Sequence, residues 1–132
     1  MKDCVFCKII GGEIKAAKIL EDKDYLAFGD IAPIKPGHTL VLPKKHVSYI
    51  FDMDKELLCG LIEACKPLAE AIRKVFKPKT CRVGIMVAGE AVPHVHLHLI
   101  PMDKGRDLNF EKSDKNTPFE KVQEAADKIK EQ

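Results

Sequence analysis

Three of the five histidines alternate with aliphatic residues in the stretch HVHLHLIP, residues 94–101: His94, His96 and His98. Successive side chains of an extended strand point to opposite faces, and alternate Cβ atoms lie about 7 Å apart. The pattern therefore predicts a strand with a row of three imidazole rings on one face. Burying such a face costs stability unless something polar occupies that side, so we interpret the row as a functional site.

Two kinds of chemistry fit three such rings. An imidazole with a pKa of about 6.5 is largely neutral at pH 7, and a hydrogen bond from one ring nitrogen leaves the lone pair of the other free to attack phosphorus. Alternatively, His-x-His supplies two ligands to a catalytic zinc ion, with a third ligand from elsewhere. The spacing alone does not separate these two hypotheses.

Cys4 and Cys7 form a second candidate group, because Cys-x-x-Cys is a metal-ligand spacing. A zinc site needs four ligands, so the pair is incomplete by itself, and two unliganded thiols on a short helix are the alternative. A redox pair is disfavoured, since no thioredoxin-like strand precedes it. The other three cysteines are expected to pack in a helix (Cys59, Cys65) or to open a strand (Cys81), and no disulfide framework is expected.

The elements that must position these residues indicate an α+β domain with an antiparallel sheet, one long helix, a short N-terminal helix and a C-terminal helix. A short helix is predicted within residues 4–11, a hairpin over 18–22 and 25–31, and strands over 38–46, 81–89 and 94–101. Apolar residues at three- and four-residue steps predict the long helix over 52–76, which Pro67 should bend or divide. Thr117 is the expected N-cap of a helix over 117–132, with Glu120 completing a capping box.

The composition is that of one ordinary globular domain spanning residues 1–132, with 45% apolar and 32% charged residues. A net charge of +2 is too small to favour a nucleic acid or an anionic membrane as partner. No segment approaches the roughly 18 apolar residues of a membrane span, and the first residues lack the apolar run of a signal peptide. A cytoplasmic protein without membrane contact is therefore expected.

Four motifs, in the same order and at similar spacing, resemble the histidine triad (HIT) family of nucleotide hydrolases and transferases. They are CVFCKIIGGEI, AFGDIAPIKPGHTLVLPKKH, AGEAVPH and the alternating segment from His94 to Ile100. The resemblance covers about residues 4–102 and is closest to small zinc-containing bacterial members. It implies a single HIT-like domain, and a homodimer that pairs through the long helix and an edge strand.

The resemblance also implies a mechanism. His96 would attack the α-phosphorus of a purine nucleotide, a nucleoside phosphoramidate or a nucleoside polyphosphate, and water would then resolve the nucleotidyl-histidine intermediate. His94 would position the nucleophile through its backbone carbonyl, while His98 and His38 would lie at the phosphate. Family positions that bind the nucleotide correspond here to Phe6, Ile9, Phe28, Asp30, Ile31, Glu90 and Val92. Core packing is an equal alternative for the apolar residues Phe6, Ile9 and Phe28, and a turn position is the alternative for Asp30.

In metal-containing relatives a histidine after the PKK strand and the first triad histidine join the two cysteines. Those positions are His46 and His94 here, so the resemblance implies a structural zinc ion held by Cys4, Cys7, His46 and His94. Such a closed site would tie the N-terminal segment to the sheet. No organic cofactor is implied.

The chain departs from the family pattern just before the triad. Many members have Gly-Gln and then Ser or Thr, whereas this chain has Gly89, Glu90 and Ala91. An ionised Glu90 cannot donate a hydrogen bond and would repel a phosphate. A hydrolase of loose specificity is the leading hypothesis, and a nucleotide-binding regulatory module with little turnover, a zinc-dependent hydrolase and a zinc scaffold are the alternatives. The segment after the triad, PMDKGRDLNF, carries no catalytic motif and is expected to be a solvated loop.

Overall fold

The computed structural model describes residues 3–132 of the chain. Three α-helices lie in this range, α1 (Val5–Ile10), α2 (Lys55–Phe76) and α3 (Phe119–Lys130). The strands are β1 (Lys18–Glu21), β2 (Tyr25–Gly29), β3 (Thr39–Pro43), β4 (Arg82–Met86) and β5 (Leu97–Met102). Short 3₁₀ turns cover Ile50–Asp52, Gly105–Asp107 and Phe110–Lys112. The range contains no helix with both the length and the apolar character needed to cross a bilayer.

The five strands form one antiparallel sheet in the order β1-β2-β3-β5-β4, which confirms the predicted α+β class. β1 and β2 are the predicted hairpin. All five residues of β3 are buried, which accounts for its uninterrupted apolar sequence. β5 lies between β3 and β4, so the triad segment enters the sheet next to its most buried strand.

Each face of the sheet has its own apolar cluster. On one face, α2 and α3 pack against the strands, and the aliphatic residues between the histidines, Val95, Leu97 and Leu99, belong to this cluster. On the other face, α1 packs in a cluster that contains Cys4, Phe6, Ile9, Leu26, Phe28, Leu40 and Leu42. The predicted alternation is therefore confirmed, because the spacers point to α2 and the histidines to the side covered by α1.

The predicted extent of the histidine strand is wrong, because β5 begins at Leu97 rather than at residue 94. The amide of His94 donates to the carbonyl of Val92, and the amide of Val95 donates to the carbonyl of Val47, each at 2.8 Å. These bonds hold the chain in a non-sheet conformation ahead of the strand. Of the three triad histidines, only His98 lies inside regular β structure.

Pro67 does not divide the long helix, which continues as α2 from Lys55 to Phe76. The missing bond affects the carbonyl of Glu63, an exposed residue that water can reach. On either side, Cys65 and Leu68 are 6% and 4% exposed. Burial of one continuous apolar stripe outweighs the loss of a single helical hydrogen bond here.

The predicted capping box of the last helix is also wrong. α3 begins at Phe119 with Pro118 at the N-cap position, and no side chain caps it. The hydroxyl of Thr117 instead donates to the carbonyl of Asp114 at 3.1 Å. The Thr117 hydroxyl thus stabilises the turn before the helix.

The loop between β2 and β3 ends at Gly37, whose φ of +94° favours glycine. A Cβ atom there would lie 2.6 Å from the ring of Phe76 at the end of α2. Glycine therefore lets the loop pack closely on α2 and directs the next residue, His38, to its place beside the triad.

Candidate active site and metal centre

Four histidines predicted to be catalytic come together in the fold. His94, His96, His98 and His38 are 0%, 6%, 7% and 2% exposed. The ring centres of His96 and His98 lie 4.9 Å apart, and those of His38 and His98 lie 5.1 Å apart. Since buried polar groups need hydrogen-bond partners, the partner of each ring nitrogen fixes where its proton sits.

The ring of His96 has one defined partner. Its Nδ1 atom lies 2.7 Å from the backbone carbonyl oxygen of His94, which can only accept, so Nδ1 carries the proton. Burial lowers the pKa of His96, although this hydrogen bond and the charge of Asp30 oppose the effect. The neutral ring therefore keeps an unshared pair on Nε2, as a nucleophile requires.

His38 and His98 form a second defined arrangement. The amide of Ile34 donates to Nδ1 of His38 at 2.9 Å, so Nε2 of His38 carries the proton and donates to Nδ1 of His98, also at 2.9 Å. Burial lowers the pKa of both rings to about 4, with the neighbouring histidines adding to the effect. Both are neutral at pH 7, and the remaining proton of His98 sits on Nε2.

Asp30 lies beside this pair. Its Oδ1 atom accepts the amide of Ala32 at 2.8 Å, which is the turn role. Its Oδ2 atom lies 3.3 Å from Nε2 of His38 and 3.9 Å from Nδ1 of His98. These three residues could surround a cation, but the Nε2 proton of His38 occupies the position a ligand lone pair would need. The arrangement is better described as a hydrogen-bonded network than as a metal site.

Cys4, Cys7, His46 and His94 form the second cluster, with their donor atoms within 4.8 Å of one another. Nε2 of His94 donates to the carbonyl of Pro43 at 2.8 Å, which leaves the lone pair of Nδ1 facing the cysteines. Nδ1 of His94 lies 3.4 Å from Sγ of Cys4, 3.6 Å from Sγ of Cys7 and 3.1 Å from Nδ1 of His46.

These distances suit a tetrahedral zinc ion. Zinc bond lengths imply separations of about 3.3 Å between two nitrogen ligands and about 3.6 Å between sulfur and nitrogen. Two thiolates and two imidazoles complete four-fold coordination and leave no open position. A catalytic zinc shared by His94 and His96 does not fit, because His96 is outside this cluster and the free Nδ1 of His94 faces the cysteines and His46.

Helix α1 connects the metal cluster with the predicted base pocket. Cys4 is its N-cap, and Sγ of Cys4 accepts the amide of Cys7 at 3.4 Å. Between them, the ring of Phe6 lies 4.7 Å from that of His96 and 5.8 Å from that of Phe28, in edge-to-face contacts. The position of Phe6 beside His96 thus depends on Cys4 and Cys7, which flank Phe6 in the sequence.

The other residues predicted to bind nucleotide divide into two groups. Ile9 and Phe28 are buried in the α1-side cluster, so they have the core role offered as the alternative, and they also lie on the side of the histidines. Val92 packs against the same cluster. Ile31, at 66% exposed, and Glu90 lie on open turns. Their part in nucleotide binding stays a prediction.

The segment after the triad is not the solvated loop that was expected. The carboxylate of Asp107 is buried and accepts the amides of Asp103 at 2.9 Å and Lys104 at 3.0 Å. The ring of Phe110 lies 4.8 Å from that of His98. The roles of Asp107 and Phe110 were missed from the sequence, because a charged loop shows no apolar periodicity. The single aromatic residue of the segment, Phe110, was the one signal that could have indicated a contact with the triad.

A cavity of about 480 Å³ lies between the β2–β3 loop and α3. It touches Asp30 and His38, but neither His96 nor His98 lines it. The cavity is therefore separate from the ring that carries the free electron pair.

Comparison with known proteins agrees with this geometry. A family model described as HIT domain matches residues 11–105. A Schizosaccharomyces pombe protein named adenosine 5'-monophosphoramidase hnt1 is 37% identical over 101 residues, which cover 74% of this chain and 73% of that protein.

Two solved structures extend the similarity to nearly the whole chain. A HIT-like protein from Bartonella henselae, described as involved in cell-cycle regulation, is 36% identical with a TM-score of 0.84 and covers 99% of this chain and 97% of that one. A zinc-bound histidine triad family protein from Mycobacterium smegmatis is 30% identical with a TM-score of 0.81 and covers 98% and 92%. With the family match over most of its length and the triad, loop and sheet in their expected places, the chain belongs to the HIT family.

Proposed function

We propose that this protein is a nucleotide hydrolase that cleaves nucleoside phosphoramidates or nucleoside polyphosphates at the α-phosphate, with His96 as the nucleophile. The observation that carries the proposal is the 2.7 Å hydrogen bond from Nδ1 of His96 to the carbonyl of His94, which leaves Nε2 free. Family membership and the phosphoramidase name of the S. pombe relative support the substrate class.

In the first step, Nε2 of His96 forms a bond to the α-phosphorus while the bond to the leaving group breaks. The ring becomes an imidazolium, and the carbonyl of His94 stabilises its positive charge through the Nδ1 proton. The departing amine or phosphate leaves with the electrons of the broken bond, and an amine takes its proton from solvent water. In the second step, water attacks phosphorus and gives up a proton to solvent, the bond to Nε2 breaks with its electrons returning to the ring, and a nucleoside monophosphate is released.

Neutral His98 has a different role from an acid. A neutral imidazole is too weak an acid to give up its last proton, and the pKa of His98 near 4 keeps it neutral at pH 7. Its Nε2–H can donate a hydrogen bond to a phosphoryl oxygen on which charge develops. His38 positions that donor, because its own Nε2–H occupies Nδ1 of His98.

The cluster of Cys4, Cys7, His46 and His94 would hold a zinc ion with a structural role. Bound zinc supplies a cross-link between α1 and the segment before β5, and with four protein ligands it offers no site for substrate. His94 therefore contributes its ring to the metal site and its backbone carbonyl to the nucleophile.

The nucleoside end and the assembly complete the proposal. A purine base would lie against Phe6, Ile9 and Phe28, and Asp30 would meet the ribose hydroxyls through Oδ2. A homodimer would form through α2 and the edge strand β4. Ile62 on α2 and Ile85 on β4 are 45% and 47% exposed and could be covered by a second copy, which sedimentation equilibrium would test.

The test of the activity is hydrolysis of adenosine 5'-phosphoramidate by the wild-type protein and by His96→Ala. We expect turnover by the wild type and none by the variant, with equal zinc content and circular dichroism to show that the variant folds. Binding of adenosine monophosphate without turnover by the wild type would support a regulatory module and contradict the proposal.

A further inference from the structure

We infer that Phe110 is a specificity-determining residue, which limits the size of the group that leaves the reacting phosphorus. The inference rests on the proposed function, and it concerns a residue beyond the part of the chain matched by the family model, residues 11–105.

Two phenylalanine rings bracket the central pair of histidines. Phe6 of α1 meets His96 at 4.7 Å, and Phe110 meets His98 at 4.8 Å with an angle of 63° between the ring planes. Phe6 also contacts the ring of His94, whereas Phe110 lies at the opposite end of the row. A substrate whose phosphorus reaches Nε2 of His96 would have one of these rings on either side.

The two sides would hold different parts of the substrate. Phe6 packs against Phe28 within the predicted base pocket, so the nucleoside belongs on that side. Displacement at phosphorus proceeds with the attacking and leaving groups roughly in line. The leaving group therefore points away from Nε2 of His96, and with the nucleoside on the side of Phe6 we place it in the space past His98 toward Phe110.

Phe110 is held in place by a buried carboxylate three residues earlier. Besides the two amides it accepts, Asp107 has the ammonium groups of Lys112 at 3.3 Å and Lys35 at 3.6 Å. Lys112 closes the 3₁₀ turn that begins with Phe110. The turn that carries the ring is therefore tied to Asp107 at both ends, by the side chain of Lys112 and by the amide of Asn109, which donates to the carbonyl of Asp107 at 2.9 Å.

The same segment is fastened to the loop that delivers His38. Lys35 pairs with Asp103 as well as with Asp107, and the amide of Asp114 donates to the carbonyl of Pro33 at 3.0 Å. The turn that carries Phe110 is thus fastened to the loop of His38, and the ring itself contacts His98.

Phe110 is nevertheless 43% exposed, so one side of its ring is available to a substrate. A rigid wall beside the leaving group discriminates by size, since a group that overlaps the ring has to displace an anchored turn. For comparison, one extra or missing methylene group in a hydrophobic pocket typically changes kcat/KM by about 10- to 200-fold.

The experiment compares two substrates with a small and a bulky leaving amine, adenosine 5'-phosphoramidate and its N-cyclohexyl derivative, and takes the ratio of their kcat/KM values in each variant. Phe110→Ala should raise kcat/KM for the bulky substrate relative to the small one by about 10-fold or more. Phe110→Trp should shift this ratio in the opposite direction. Phe51→Ala is the matched control, because Phe51 is 75% exposed and its ring contacts Tyr49.

A substrate ratio that is unchanged in both Phe110 variants, with active wild-type protein, overturns the inference. Wild-type protein that hydrolyses neither substrate overturns the proposed function and this inference with it.

Discussion

The backbone carbonyl of His94 accepts the Nδ1 proton of His96 at 2.7 Å, while the ring of His94 faces Cys4 and Cys7. One residue therefore joins the candidate metal cluster to the proposed nucleophile. A change in the position of His94 would alter both the tautomer and the direction of His96, so the two sites are coupled through a single peptide unit.

Removing one cysteine should release the metal. We expect Cys4→Ser to lose bound zinc, measured by inductively coupled plasma mass spectrometry, and to unfold at a lower temperature, because structural zinc sites contribute directly to folding. Activity should also fall as His94 loses its restraint. Cys59→Ser, at an exposed position on α2, and His96→Ala should both keep the metal. Full zinc occupancy in Cys4→Ser would show that the cluster is not the metal site.

The activity should persist in mildly acidic solution. The nucleophile must be neutral, and burial lowers the pKa of His96 below its ordinary value of 6.5. The rate of hydrolysis should therefore fall with decreasing pH only below 6.5, through the depressed pKa of His96. A pH profile of kcat/KM, recorded at constant ionic strength with zinc present, measures this. An acid limb at or above pH 6.5 would contradict the assignment.

The free energy of unfolding should also decrease in acid. His38 and His98 have a pKa of about 4 when folded, so only the unfolded chain takes up these protons between pH 6.5 and 4. The two neutral rings therefore leave the folded state at its full stability above pH 6.5, and this stability is lost progressively as the pH falls to 4. From a difference of 2.5 pKa units, each ring would account for up to about 3 kcal/mol. Urea unfolding at several pH values, with zinc in excess, tests this, and His38→Gln should show a shallower dependence.

Asp107 should be important for stability although it lies in a charged loop. Hydrogen bonds from two backbone amides and nearby lysines outweigh the opposing effect of burial and lower the pKa of Asp107 to about 2. We expect Asp107→Asn to reduce the free energy of unfolding by about 1–3 kcal/mol. The substitution removes the negative charge that the two lysines pair with and one of the two oxygens that accept hydrogen bonds. The control is Asp52→Asn at an exposed position. Equal stability of the two variants in urea would mean that the anchor is unimportant.

The sequence predicted those parts of the fold that depend on local periodicity. The hairpin, α1, α2 and the alternation around the triad all follow from apolar spacing, and the structure confirms them. The errors occur where contacts distant in sequence decide. Val47 holds the segment before Leu97 out of the sheet, and core packing on both sides of Pro67 keeps α2 continuous.

The candidate site was also predicted where it depends on local motifs and missed where it depends on contacts distant in sequence. His38, Asp30 and the four cluster residues could be named from their motifs, and the structure brings them together. The proton positions could not, because they depend on the carbonyl of Pro43 and the amide of Ile34, which no side-chain pattern encodes. Phe110 and Asp107 were missed because their importance arises only when the last loop folds back on the triad.

The most direct test of the central claim is to locate the covalent intermediate. The wild-type protein is mixed briefly with adenosine 5'-phosphoramidate, quenched in alkali to preserve a phosphorus–nitrogen bond, and analysed by peptide mass spectrometry. We predict an adenylyl group on His96 that is absent from His96→Ala. An adduct on His98 or His38, or steady turnover with no adduct at any histidine, would contradict the account.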